Sequence, residues 1–241
     1  MTALDEPKTY IMIGAGGTGT HFIGATLAYL ETFHKDRNED WQFVVIDGDN
    51  FDTGNLERQL FQPGFVSSNK AEAMAQMYNR YPMVAVPKFI GKVDLDLMFT
   101  ENDTVFICAD NHSIRALVQE RALELQTCVV INAGNELHDG NVQLWVRQNG
   151  ENLTPKLTYM HPEIIYTAAD DRAPMDCMTA ARLPGGGQLI LANQQAASWM
   201  LTALWRYHTG KWTEGWTELQ FDLELGTVHH LNMRERRNWA T

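Results

Sequence analysis

Between residues 42 and 70 the chain reads QFVVIDGDNFDTGNLERQLFQPGFVSSNK, which gathers Asp47, Asp49, Asn55, Arg58, Gln59 and Lys70 just beyond one apolar strand. Carboxylates, amides and cations held together at a strand end suit a site that grips a sugar and a phosphate chain and can share a metal. A second stretch points the same way. Residues 9 to 13, TYIMI, are apolar and rich in β-branched side chains, and GAGGTG follows at once with Gly14, Gly16, Gly17 and Gly19. Glycines tolerate positive φ and let a backbone approach a ligand closely, so this turn would open a helix whose free N–H groups face an anion. WQFVVI then delivers Asp47 to a strand end, where an acid can accept both ribose hydroxyls.

A nicotinamide-binding protein also places an acid there, usually about 20 residues past the glycines. Here Asp47 follows Gly19 by 47 − 19 = 28 residues, and the polar insertion HKDRNED accounts for the excess. The loop after Asp47 separates the two chemistries. A dehydrogenase has no evident need for Arg58, Gln59 and Lys70 beside the acid, whereas triphosphate chemistry requires cations aimed at phosphates.

The elements that must position these residues follow from periodicity. TYIMI, WQFVVI and DTVFICA read as buried strands, the last of the parallel type, and CVVINAG, then NVQLWVR, complete the sheet as strands paired after the strand–helix alternation. Helices are expected from the glycine turn to about Phe33, from Asn69 to about Arg80 with Asn69 as its cap, and over SIRALVQERALELQ behind Asp110 and Asn111. HKDRNED reads as a surface loop, VAVPKFIGKV as a strand and Leu95 to Phe99 as a short link. Residues 148 to 187 carry no clear period and form a connection far longer than the roughly 4 to 6 residues of a median loop. His161 within it reads as a polar loop residue. From Gln188 to His208 a helix is apolar on most sides, with Leu191, Trp199, Met200, Leu204 and Trp205 as its bulk, and a hairpin around Gly226 closes the chain. Its paired His229 and His230 alternate across a strand and so are poor ligands for one metal.

Three blocks carry a resemblance to the ThiF/HesA/MoeB family, the activating enzymes of ubiquitin and of ubiquitin-like sulfur carriers: GAGGTG, then DGDNFDTGNLERQ from Asp47 to Gln59 with Lys70 beyond it, then CADNHSIR from Cys108 to Arg115. The resemblance covers most of the chain. It implies an α/β fold, a Rossmann-like mainly parallel sheet with flanking helices and a C-terminal antiparallel extension, forming one adenylation domain over residues 1 to 241. It also implies ATP and Mg²⁺ as ligands. Asp47 would hold the ribose, Arg58, Gln59 and Lys70 the phosphates with Asn55 in support, and Asp110 the Mg²⁺, with Asp49 and Asn111 nearby. Cys177, in MDCMTA, matches the position of a cysteine in the family's crossover segment, where it would take an acyl group as a thioester or relay sulfur. The partner would be a ubiquitin-like or sulfur-carrier protein ending in Gly-Gly, and the apolar helix before His208 would border a homodimer interface. The chain departs from the family in two places. Only Lys8 is basic before the first strand, where many members supply an arginine to the partner subunit's site, and the CxxC pairs of zinc-bearing members are absent. A catalytically silent scaffold that binds nucleotide or a ubiquitin-like protein is the alternative of a different class.

Composition bounds the remaining classes. The 241 residues are 44% apolar and 20% charged, in the range of ordinary globular proteins. Thirty acidic against 19 basic residues give a formal charge of −11, which argues against non-specific nucleic-acid binding. Cys108, Cys128 and Cys177 include no CxxC pair, so free thiols in a reducing compartment and no zinc are expected. The N-terminus lacks the basic-then-apolar pattern of a signal peptide and no run is long enough for a membrane span, so the expected location is cytoplasmic.

Overall fold

The computed structural model describes residues 8–166 and 189–232. One sheet runs through them in the order β3 (Met83–Val86), β2 (Trp41–Ile46), β1 (Lys8–Ile13), β4 (Thr104–Ile107), β5 (Cys128–Asn135), β6 (Asp139–Gln148), β8 (Glu218–Asp222) and β9 (Thr227–Leu231), with β7 (Glu151–Asn152) paired to β6. Its first half is parallel: β1 lies between β2 and β4, β3 flanks β2, and β5 flanks β4. Its second half is antiparallel: β6 pairs β5, β8 pairs β6, and β9 pairs β8. The chain is thus a Rossmann-like α/β fold with an antiparallel extension. Because β2 and β4 lie on opposite sides of β1, the strand order reverses there, and ligands of such sheets bind at that crevice beyond the carboxyl ends of the strands.

Alternation along the strands divides the core in two. Met12, Val45, Phe106 and Ile131 face α1 (Gly17–Lys35), α2 (Lys70–Met77) and the helix Ile190–His208, labelled α7. Ile11, Val44, Val105 and Val130 face α3 (Lys92–Met98) and α4 (His112–Glu124), which contribute Leu95, Ile114 and Val118. The side of α7 turned to α1 and the sheet carries Ala192, Asn193, Ala196, Ala197, Met200, Ala203 and Leu204, and its four alanines allow close approach. Leu191 and Trp205 instead stay exposed on its outer side.

Three local expectations are corrected. The strand in VAVPKFIGKV ends at Val86; α3 then covers Lys92–Met98, where a short link was expected, because the Asp94 carboxylate accepts from the Gly91 N–H at 3.0 Å and starts a helix. His34 is not a surface residue. It ends α1 buried, 1% exposed, with Nε2 against the Tyr10 hydroxyl at 2.8 Å. The stretch from residue 148 is not irregular at its start, since it holds β7 (Glu151–Asn152), α5 (Leu157–Met160) and α6 (Glu163–Tyr166). Cys177 and the rest of the expected crossover lie outside the described residues.

Candidate nucleotide cleft

The glycine turn follows from two close approaches. Gly14 has φ +96°, and a Cβ on it would lie 2.8 Å from the Ala109 nitrogen, so β1 and β4 can end side by side only with glycine there. A Cβ on Gly19 would lie 2.2 Å from the Gly14 oxygen, which makes Gly19 a requirement of the turn itself and keeps it out of the cleft lining. Gly16 caps α1 without a side-chain hydrogen bond, and a Cβ on it would meet nothing within 4 Å. The first turn of α1 holds no acidic residue, so its positive end opens into the space beside Gly16 and Gly17.

Asp47 is tied to this turn. Its Oδ2 accepts from the Ala15 N–H at 2.6 Å and its Oδ1 from the Asp49 N–H at 2.8 Å. Each oxygen keeps a second lone pair for a ligand hydroxyl. Burial pushes the Asp47 carboxyl upward, against the pull of the Lys70 ammonium and the two N–H groups. Lys70 sits in the first turn of α2, 7% exposed, with Nζ 3.4 Å from Asp49 Oδ2. Asn69 places it: its Oδ1 accepts from the Ala71 and Glu72 N–H groups, and its Nδ2 donates to the Asp47 and Asp49 carbonyls at 3.0 and 3.1 Å. A lysine opening a helix works against the dipole, and burial adds to that cost, so an anion in the cleft would relieve it.

A short 3₁₀ turn, Thr53–Glu57, brings the next pair. Asp52 and Asn55 exchange side-chain to backbone bonds at 3.1 and 3.2 Å and so close the turn that ends at Arg58. Arg58 and Gln59 line the cleft, and the Gln59 Oε1 is buried with no hydrogen-bond partner. Asn55 is 3% exposed and does not line the cleft; it acts by fixing the turn. Asp110 lies exposed between β4 and α4 and lines the cleft, while the Asn111 side chain caps α4 by accepting from the Ile114 N–H at 2.9 Å.

These residues surround one cleft of about 990 Å³. Apolar walls at Ile13, Ile46, Phe89, Ile90 and Leu117 adjoin the polar groups. The volume and the mixed lining suit a nucleotide. Among the described residues no three His, Cys, Asp or Glu side chains converge on a metal position. A single exposed carboxylate at Asp110 still fits Mg²⁺, which binds through one or two carboxylates together with phosphate oxygens and water. Cys108 and Cys128 are unsuited to nucleophilic work, because burial pushes both thiols up, Cys128 to about 12.

Several cleft residues escape a reading by local sequence. Thr18 Oγ1 donates to Asn135 Oδ1 at 3.0 Å, and Asn135 Nδ2 donates to Asn193 Oδ1 at 3.0 Å, which links α1, β5 and α7 beneath the glycine turn. Asn193 stands next to Gln194 and Gln195 in the helix, so its residue type alone gave no signal. His161 is likewise more than a loop residue. Its Nε2 lies 3.2 Å from both carboxylate oxygens of Glu218, which is fully buried, and its Nδ1 lies 3.1 Å from Glu163 Oε1. The bond to Glu218 raises the His161 pKa above its usual value.

Fold and cleft together define an α/β protein with a nucleotide-shaped crevice at the switch point of its sheet. The family model described as "ThiF family" matches residues 6–238, and the chain belongs to that family. Among solved structures, it is similar to E. coli MccB with ATP (TM-score 0.63, 18% identity, 94% of this chain and 64% of that one). It is similar also to PaaA (TM-score 0.65, 14% identity, 93% and 64%) and to MccB in complex with N-formylated MccA (TM-score 0.63, 18% identity, 94% and 64%). The chain therefore spans about 64% of the length of these proteins, and at such identities the likeness shows the fold alone. No curated protein sequence matches the chain. No helix among the described residues is long and apolar enough to cross a membrane.

Proposed function

We propose that the chain is an ATP-dependent adenylyltransferase, a single adenylation unit that activates the C-terminal carboxylate of a ubiquitin-like or sulfur-carrier partner. The observation that carries this reading is the convergence of Asp47, Arg58, Gln59, Lys70 and Asp110 on one cleft at the open N-terminus of α1. Family membership and the fold shared with MccB, whose solved structures include ATP in one case and MccA in another, support it.

Asp47 binds the ribose hydroxyls, and Gly14, Gly16 and Gly17 let the phosphates approach the N–H groups of α1. Arg58 and Lys70 neutralise the phosphate chain, with Gln59 donating beside them. Asp110 would hold Mg²⁺, which when bound offsets phosphate charge. A carboxylate oxygen of the partner forms a bond to the α-phosphorus, the bond from that phosphorus to the bridging oxygen breaks, and pyrophosphate leaves with the electron pair. Both reactants are anions, so the protein's work is positioning and charge neutralisation. Cys177 is the proposed acceptor of the acyl group, and a bond to the partner that thiol reagents cleave would test it. The outer side of α7, with Leu191 and Trp205, is the proposed homodimer face.

ATP–pyrophosphate exchange dependent on a protein ending in Gly-Gly tests the assignment. Arg58→Ala and Lys70→Ala should each abolish exchange; full exchange in both variants contradicts it.

A further inference from the structure

Two side-chain clusters hold the first turn of α1. In one, Thr20 Oγ1 shares its proton between the Gly16 and Gly17 carbonyls at 2.9 and 3.0 Å and accepts from the Leu60 N–H at 3.0 Å, which sets the glycine turn against the loop of Arg58 and Gln59. The other is centred on Asn193 of α7. This residue is 0% exposed and lies outside the cleft lining, whereas the Gly17, Thr18 and Asn135 it touches all line the cleft.

Asn193 meets the turn twice. A Cβ on Gly17 would lie 2.5 Å from both the Oδ1 and the Nδ2 of Asn193, so this amide fills the place of the missing side chain and packs directly on the turn. Its Oδ1 accepts from Asn135 Nδ2 at 3.0 Å and, more weakly, from Thr18 Oγ1 at 3.4 Å, the hydroxyl whose shorter bond of 3.0 Å goes to Asn135 Oδ1. With both donors on Oδ1, the Nδ2 is left buried and without an acceptor among the described residues. Packing alone does not call for such a residue. The same side of α7 carries Ala192, Ala196, Ala197 and Ala203, and an alanine at 193 would fit beside Gly17 without burying an unpaired N–H. A buried amide that breaks the local rule beside a ligand turn is one kept for position and not for stability.

We propose that Asn193 is a positioning residue for the phosphates of the nucleotide: it fixes Gly17 by contact and Thr18 by hydrogen bonding, so that the N–H groups opening α1 keep their aim. The inference rests on the adenylation reading and adds to it a residue that touches no ligand. The Thr18 proton is committed to Asn135 and Asn193, so the anion meets main-chain N–H groups and not this donor. Donors held in place need no rearrangement when charge arrives, and a displacement of about 1 Å forfeits much of that advantage. Asp47, which takes the ribose, is tied instead to Ala15 and Asp49. Loss of Asn193 therefore falls on the phosphates and spares the nucleoside.

Mg·ATP and adenosine are titrated calorimetrically against the full chain as wild type, Asn193→Leu, Asn193→Ala and Thr18→Val, with urea denaturation of each. Asn193→Leu keeps the shape and removes both polar atoms, so its urea midpoint should not fall below that of the wild type. Both 193 variants should nonetheless bind ATP about tenfold more weakly and adenosine within about twofold of the wild type, a split that general damage to the fold does not produce. Either folded 193 variant is enough for the comparison. Thr18→Val should weaken ATP in the same way, and joining it to Asn193→Leu should add little, because both act on one turn. Unchanged ATP affinity in Asn193→Leu, ATP and adenosine weakening together, or full additivity with Thr18→Val overturns the proposal. A wild type that binds no ATP sinks the adenylation reading and this inference with it, whereas a wild type that binds ATP beside unaffected 193 variants removes Asn193 alone.

Discussion

Asp47, Arg58, Gln59 and Lys70 were legible because their placement is local. Each sits in a short segment closed by its own capping bonds, so type and spacing carried the meaning. Asn135, Asn193 and the His161–Glu218 pair were not, because each joins residues far apart in the chain and has no spacing to read. His34 misled for the opposite reason. Its neighbours in HKDRNED are polar, yet the Tyr10 hydroxyl and the Glu39 carboxylate receive it beneath the surface. Among single residues Gly14 is the most constrained by geometry. Gly14→Ala meets both a positive φ and the Ala109 backbone, so it should cost at least about 1–3 kcal/mol in chemical denaturation and weaken ATP binding as the turn shifts.

Elements place the site through their ends. β1 and β4 bring the glycine turn and Asp110 to one edge, and α2 brings Lys70 because Asn69 ties its first turn to the Asp47–Asp49 segment. Losing that cap should cost about 1 kcal/mol of stability. Asn69→Ala should also raise the KM for ATP, since the same side chain sets Lys70; a loss of stability with unchanged KM would confine Asn69 to helix capping. Long apolar periods made the central strands and α1 and α7 readable, whereas α3 was hidden by the β-branched run before it and revealed only by the Gly91–Asp94 bond.

Across the molecule, opposite ends of the sheet do different work. The carboxyl edge holds the cleft, and the other end is closed by Tyr10, Tyr29, Phe33, His34, Trp41 and His208. His208 stacks on Phe33 at 3.9 Å between centroids and bonds both tyrosines, and burial lowers its pKa to about 3. The unfolded chain takes up that proton near pH 6.5, so folding loses stability as pH falls from about 6.5 toward 3. Buried His34, also lowered, adds to the same trend. Urea denaturation between pH 7 and pH 5 should show this decline, and His208→Phe should flatten it; an unchanged slope would remove His208 from the acid response. The cleft end invites a more direct test. In equilibrium titration with Mg·ATP, the wild-type chain should bind saturably, while Asp47→Ala should bind at least about tenfold more weakly with its fold intact by circular dichroism. Wild-type protein that does not bind ATP, or an Asp47→Ala variant that binds as tightly, would contradict an adenylation site at this cleft.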